Sequence, residues 1–593
     1  MSRRASKPVL VVAIAVAFIA LAVNQSGGPA RAATPVYADS AGACAGLTPC
    51  HTTIQDAVDD AGPGVSEVFV FPGIYAESVD IASTPASDVS LTAVNASGAP
   101  TPGTVTVAPA SGRAIETDGA YGGDISLDGF IAISPDSDGI ALTANDVTLA
   151  NLTVSENGDN GVFVDASGSI TVSHSAANAN SSGADPGFEL FASGDVTVSS
   201  STANGNSTGF EVEADGTVTM TDSTANDNES GFSVFGSAGV SMTGLSASSN
   251  SDEGINPESN GDITVADSFA AGTGDDGIDI EADGDVTLTD STATQSGDNG
   301  VEIDSGGAVV ISGVTSTDNE SDGIHIESRD GKIALESASI TSSVVGPNGD
   351  GAIDLDDSFF ADIGPYEGTG NIICGTSDGF ESDLDTLIDG TGNWWGSASG
   401  PTHSTNAGGT GDPVRDGAEG FDGTIDFDPW IDAISGSAGA AAQGQPVVVS
   451  FAFSGGSGAV AFQEGPGNPN GDLTFTATTD NGTVSTSGFV SGGTLDVTLI
   501  PASVGQATVT ITGPCGLDDS LGGNSVTLDV AAAPTEPGPG AATPTPTLAS
   551  LPVTGSRPSS GDDLGGWVLA ALAVAGLASA GAAGVLMRRN ARV

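Results

Sequence analysis

Positive charge is nearly missing from this chain: 12 Lys+Arg stand against 76 Asp+Glu in 593 residues, a formal net charge of −64. A surface this acidic repels nucleic acid and anionic lipid and attracts cations, so no nucleic-acid partner is expected. Histidine is as scarce, with four residues. His174, His325 and His403 are too scattered for a nucleophilic triad, and His51 sits close to Cys50. No cysteine precedes Cys44, so a lipid-modified cysteine is not expected. The density of Gly, Ser, Thr and Asp excludes a helical protein.

The two ends carry targeting patterns. Arg3, Arg4 and Lys7 precede an apolar run from Val9 to Val23, and Ala30-Arg31-Ala32-Ala33 follows. A positive start, a short apolar stretch and small residues read as a secretory signal peptide over 1–33, cut after Ala32 or Ala33. The chain is therefore expected to be exported, where disulfides are permitted. Cys44 and Cys50 are close enough to bridge an N-terminal cap; the pairing of Cys374 and Cys515 stays open. At the other end, a Pro/Thr-rich linker at 533–550 leads to Leu551-Pro552-Val553-Thr554-Gly555. An uncharged run from Trp567 to Met587 follows, long enough for a transmembrane helix. Arg588, Arg589 and Arg592 make 588–593 a basic cytoplasmic tail. The whole arrangement resembles the L-P-x-T-G sorting signal of sortase-anchored wall proteins. That resemblance implies a cut between Thr554 and Gly555, with sortase and cell-wall peptidoglycan as partners. It also implies a cell-wall or cell-surface location, with membrane anchoring before sorting. The plainer reading is a permanent membrane anchor. Without these ends only Arg113, Arg329, Lys332 and Arg415 remain basic, against 74 acids, a net charge near −70.

The middle of the chain repeats. Gly139, Gly161, Gly187, Gly209, Gly231, Gly254, Gly277, Gly300 and Gly323 recur at steps of 22 to 26 residues. Apolar residues follow at the first and third positions, as in Ile278/Ile280 and Val301/Ile303; Pro257 interrupts the second set. That alternation predicts half-buried strands. A second strand is expected about nine residues after each glycine, with inward pairs such as Ile170/Val172, Val196/Val198, Val218/Met220, Val286/Leu288 and Ile333/Leu335. A third, small and polar segment includes Ser201–Asn204 and Ser223–Asn226. Asn157, Asn204, Asn226, Asn250 and Asn319 fall at nearly one place, as a side-chain ladder would require. Three short strands in about 22 residues suit a β-helix coil. A leucine-rich repeat would need its Leu pattern, and a propeller blade about twice the period.

Cys50-His51-Thr52-Thr53-Ile54-Gln55-Asp56-Ala57-Val58 with Phe71-Pro72-Gly73-Ile74-Tyr75-Ala76-Glu77 resembles the opening of pectin-lyase-like β-helix proteins. Asn393-Trp394-Trp395-Gly396 and Asp426-Phe427-Asp428-Pro429-Trp430 resemble their closing segment, which gives the Trp pair a capping role rather than a sugar-stacking one. Ile54, Ala57, Val58 and Ala61 would form one helix face plugging the solenoid. The expected fold is all-β: a cap at 34–66, a right-handed parallel β-helix solenoid over 67–432, and a small β-sandwich-like domain over 440–532, before the C-terminal transmembrane helix.

Chemistry is harder to find. Gly274-Asp275-Asp276-Gly277 resembles the Gly-Asp-Asp segment of polygalacturonases, where paired acids activate water for inverting hydrolysis. His325, and the pair Arg329 and Lys332, are the only candidates for the other parts of that site; they depart from its motifs in spacing and flanking residues. The plainer reading of Asp275-Asp276 is the turn before a repeat glycine. Acids also stack in files: Asp159, Asp185, Glu229, Asp252, Asp275 and Asp298 two residues before the glycine, and Glu211/Glu213, Asp279/Glu281, Glu302/Asp304 and Glu327 after it. Like charges brought this close bind cations or take up protons. No cofactor is required; weak Ca²⁺ coordination around Asp275, Asp276, Asp298 and Glu281 is the sharper reading, and a solvated acidic face the plainer one. The reading that follows is a cell-surface-displayed binding (glycan or adhesion) or structural module. A wall-anchored polysaccharide hydrolase or lyase is the alternative.

Overall fold

The computed structural model describes residues 35–533 apart from 62–65, 82–87, 96, 181–184, 329–335, 357–365, 383–386, 417–423, 456–457, 460–473, 486, 492–493 and 517–520. The signal-peptide pattern, the sorting motif, the 567–587 span, the basic tail, Arg329 and Lys332 lie outside the described residues. Among the described residues no helix is long and apolar enough to cross a membrane.

The solenoid has three faces of parallel strands. The first sheet has 15 strands, the second 17, and the third is built from a three-stranded and a seven-stranded piece. Single bridges through Thr153, Ala176, Thr202, Thr224 and Ser246 join those two pieces. In the first sheet the apolar residue after each repeat glycine pairs with its counterpart one coil on: Ile140, Val162, Phe188, Phe210, Phe232, Ile255, Ile278, Val301, Ile324, then Ile353. All ten are buried, nine of them with no exposure at all. Phe188, Phe210 and Phe232 stack face to face, 5.0 and 5.2 Å between centroids. Each such side chain contributes about 1.5–3 kcal/mol by leaving water. The second strand also lies as expected, with Ile170/Val172, Val196/Val198, Val218/Met220 and Val286/Leu288 buried. One strand moves: Ile333 and Leu335 lie outside the described residues, and the second-sheet strand of that coil is Ser337–Thr341. Ala338 and Ile340 pair there with Val309 and Ile311. The step from Gly323 to its counterpart one coil on, Ala352, is longer than the others, so the uniform offset does not reach that strand.

The repeat glycines are set by crowding, since none has positive φ. A Cβ on Gly231 would lie 2.3 Å from the Gly254 carbonyl oxygen and 2.7 Å from Asn250 Nδ2. Gly161 faces Asn180 Nδ2 and the Gly187 carbonyl, both at 2.6 Å. Gly231→Ala is therefore expected to cost about 1–3 kcal/mol by overpacking. Gly408→Ala, at a site with nothing within 4 Å, should leave the thermal midpoint nearly unchanged in the same melts.

The asparagines singled out in the sequence do form ladders, but in two separate columns. In the buried one, the backbone N–H of Asn157, Asn180, Asn206 and Asn228 donates to the side-chain oxygen of the next member, ending on Asn250, at 2.8–3.1 Å. Asn206, Asn228 and Asn250 also donate Nδ2 to the carbonyls of Ala177, Ala203 and Ala225. Asn319 accepts from the Ser296 N–H further along. Asn204 and Asn226 belong to a separate, half-buried ladder that starts at Asn178 and ends on the Ser248 N–H. The two ladders satisfy turn backbone that would otherwise be buried unpaired.

The N-terminal plug is the helix Ile54–Asp60, with Ile54, Ala57 and Val58 buried against the core and Ala61 partly so. Glu77 caps it by accepting from the N–H groups of Ile54 and Gln55 at 2.8 and 3.1 Å. The Cys44–Cys50 disulfide is present. At the far end Trp394 and Trp395 are both fully buried, as the capping reading requires.

Beyond the solenoid, antiparallel pairing begins at Ala433, earlier than position 440. Strands Val447–Gly455, Thr474–Thr479, Thr494–Ile500, Gly505–Thr512 and Ser525–Ala531 carry the body of this C-terminal domain. Strand Ser487–Ser491 links them, pairing at one end with Thr474–Thr479 and at the other with Thr494–Ile500, so that eight strands follow one continuous path with two more paired beside it. Their buried residues, including Val449, Phe451, Phe475 and Ile511, share a cluster with Ile372 and Trp394 of the solenoid's third face. Cys374 on that face is bonded to Cys515.

Candidate functional site

The outer surface of the first sheet is the most distinctive polar surface described. Period-two alternation puts every second residue of each strand outside. Register then builds two columns. The first contains Phe163, Glu189, Glu211, Ser233, Asn256, Asp279, Glu302, His325, Asp354, Glu381 and Arg415. Asn256 and Asp279 take the same place in neighbouring strands, and Asn256 Nδ2 donates to Asp279 Oδ2 at 2.7 Å. The second column starts Asp165, Phe191, Glu213, Phe235, Glu258 and continues through Glu281, Asp304 and Glu327. Phe163, Phe191 and Phe235 are half-buried, and the Phe163 and Phe191 rings meet edge to face at 6.1 Å. The acid files were legible from the sequence. The aromatic strip between them was not singled out, although its signal, bulky residues at the outward offsets after the repeat glycine, was there.

The turns before the glycines add a second row of acids along one edge of this face. Asp275, Asp276 and Asp298 come together, with oxygens within 4.8 Å of one another; so do Asp252, Glu253 and Asp275. Glu281 stands in the second column and is not part of either group. His325 lies two coils from Asp275 and Asp276, grouped with Glu327 and Asp356. The pairing that a polygalacturonase-like site needs is thus not assembled around Asp275, Asp276 and His325.

Burial dominates the electrostatics. It pushes the Asp279 carboxyl up to about 8, helped by the charges of Asp276 and Glu302. Asp276 rises to about 7 through burial and Glu302, although it accepts a hydrogen bond from the Asn299 N–H at 2.8 Å. Asp304, beside Glu327, and Asp354 are raised as well, again mainly by burial; for Asp354, His325 opposes the rise. Basic partners are few. Arg415 Nε reaches Asp378 Oδ1 at 2.5 Å, and Arg113 Nε donates to Asp138 Oδ2 at 2.7 Å. A separate cleft of about 450 Å³ near the C-terminal end is lined by residues including Leu387, His403, Phe427 and Trp430.

Among solved structures, the A-modules of the Azotobacter vinelandii mannuronan C-5 epimerases AlgE6 and AlgE4 are similar. Each has 16% identity and a TM-score of 0.32 over 63% of this chain, covering 93% and 94% of theirs. Tailspike protein 3 of bacteriophage CBA120 has 10% identity and a TM-score of 0.29, over 68% of this chain and 66% of that one. No curated protein matches the chain. The family model described as the right handed beta helix region matches residues 115–244 and 230–380. The body of this protein is a right-handed β-helix repeat.

Proposed function

We propose that this protein is a non-catalytic binding module, displayed on the cell surface, that holds surface glycans along the outer face of its first sheet. The observation that carries this reading is the alternation of carboxylate and ring in the second column: Asp165, Phe191, Glu213, Phe235, Glu258. Phe191 and Phe235 are two coils apart, about 9.6 Å at ~4.8 Å per coil, which is about two sugar rings of an extended chain. The rings offer faces for stacking, and the carboxylates between them accept from hydroxyls. Dense negative charge disfavours polyanionic glycans unless divalent metal bridges them, so neutral or amino-sugar polymers fit. A glycan array should return such polymers, and Phe191→Ala should weaken binding at least tenfold while the protein still melts cooperatively. Equal binding by the variant would sink the assignment of this face.

The sorting-signal pattern supports covalent linkage to the cell wall. In that case Thr554→Ala moves the protein to membrane fractions or the medium, as read by fractionation and blotting. Wall linkage that survives the substitution removes the sortase step.

One observation favours the alternative of a polysaccharide hydrolase or lyase. Asp276, held near pKa 7 beside Asp275 and Asp298, is a carboxyl kept protonated next to acids, the division of labour that glycoside hydrolysis uses. Release of reducing ends from array-positive polysaccharides, lost in Asp276→Asn, would establish that reading in place of the first.

A further inference from the structure

The Cys374–Cys515 disulfide closes a loop with a sequence separation of 141 residues. Cys374 follows strand Ile372–Ile373 on the third face, and Cys515 follows strand Gly505–Thr512 of the C-terminal domain. Between them in sequence lie the last solenoid coils and most of the antiparallel domain. That domain does not trail from the rod. Its core includes Ile372 and Trp394, whose chain neighbours Ile373 and Trp395 point into the solenoid core. The proposed glycan face, Phe163 to Glu258, lies N-terminal to Cys374; the sorting motif lies C-terminal to Cys515. Any pull between a held glycan and the wall must therefore cross this pair of cysteines.

We infer that the disulfide is a force-carrying clasp. Tension arriving from the C-terminal side passes through Cys515 to Cys374 and into the main solenoid, leaving residues 375–514 unstretched. The antiparallel domain is then a collar on the third face and not an extensible spacer. Reduction converts it into one, because the backbone between the cysteines becomes the sole connection. The physiological part of this inference rests on the wall linkage and the glycan face proposed above; the force path itself does not.

The test is single-molecule stretching of the exported chain, with handles before residue 35 and after residue 533, with and without reductant. With the disulfide intact, the first rupture should lack the segment between the cysteines. With reductant, a new first event is expected at lower force, lengthening the chain by about 480 Å, from 141 residues at ~3.4 Å each. Cys374→Ser should reproduce the reduced trace; reductant on the unmodified protein covers the case in which that variant fails to fold. Cys44→Ser, which opens a loop with a separation of six residues, should add only about 20 Å on the same scale. The inference is overturned if the oxidised protein already shows the long first event, or if reduction leaves the force and length of that event unchanged. Because both handles are artificial, these outcomes do not depend on whether Thr554→Ala abolishes wall linkage or Phe191→Ala abolishes binding.

Discussion

Acidification from pH 8 to pH 5 should raise the melting temperature of this protein. Asp276 and Asp279 hold their protons up to about pH 7 and 8 in the fold, and burial raises Asp304 and Asp354 too. In the unfolded chain an Asp carboxyl titrates near 3.9. Between those values the folded state binds more protons, so lowering the pH favours it. The gain begins as the pH falls through the folded values and is complete below about 4, the unfolded one. Displacing a pKa by one corresponds to ~1.4 kcal/mol, and the half-buried groups must be discounted for solvent screening; several kcal/mol is the expected total. Divalent cations should act on the same repulsion. At pH 8, Ca²⁺ coordinated by the turn acids would exceed Mg²⁺ and NaCl at matched ionic strength, because it accepts irregular oxygen shells. At pH 5, with Asp276 protonated, the advantage of Ca²⁺ should shrink. A midpoint that is flat or falls between pH 8 and pH 5 would show that these acids are ionised without penalty.

Ile280→Asp is expected to abolish cooperative folding of the central coils. Ile280 has no exposure and pairs with Ile303, itself fully buried. A carboxylate there has no basic partner among the described residues of the core, and a buried unpaired charge costs several kcal/mol. The neighbouring residue makes the control, because alternation turns it outward: Asp279→Asn removes one of the crowded acids and should stabilise. Each coil rests on its neighbours, so hydrogen exchange should quicken first in strands Ile255–Ser259, Ile278–Ala282 and Val301–Ser305. An Ile280→Asp protein that melts like the parent would refute the inward register.

Much of this arrangement was written in the sequence because the solenoid is local: one coil dictates the next. The repeat glycine was legible as a period, although its reason, the approach of the next coil's carbonyl, needed coordinates. The sequence places the asparagines in one ladder because Asn204 and Asn157 fall at similar offsets; coils of 22 to 26 residues blur a two-residue difference, and only hydrogen bonding separates the columns. The second-sheet strand of the coil that starts at Gly323, Ser337–Thr341, was not legible for a related reason, the longer step from Gly323 to Ala352. Pairing of Cys374 with Cys515 depends on docking between segments far apart in sequence, which no periodicity encodes. Among the site residues, Asp275, Asp276 and Asp298 do converge, whereas His325 groups with Glu327 and Asp356 and Glu281 stands outside that convergence. The high proton affinity of Asp279 was invisible, because it follows from burial at the surface of a sheet.

The regular register of the coils between Gly187 and Gly323 has a genetic consequence. A coil that begins and ends on equivalent atoms is a cassette. Duplication or loss of one 22- or 23-residue unit between Gly187 and Gly323 leaves both seams chemically familiar, so unequal recombination can change reach in increments of about 4.8 Å without inventing a new junction. Selection on the length of such a protein can proceed by counting coils, while the plug at one end and the collar at the other stay the same.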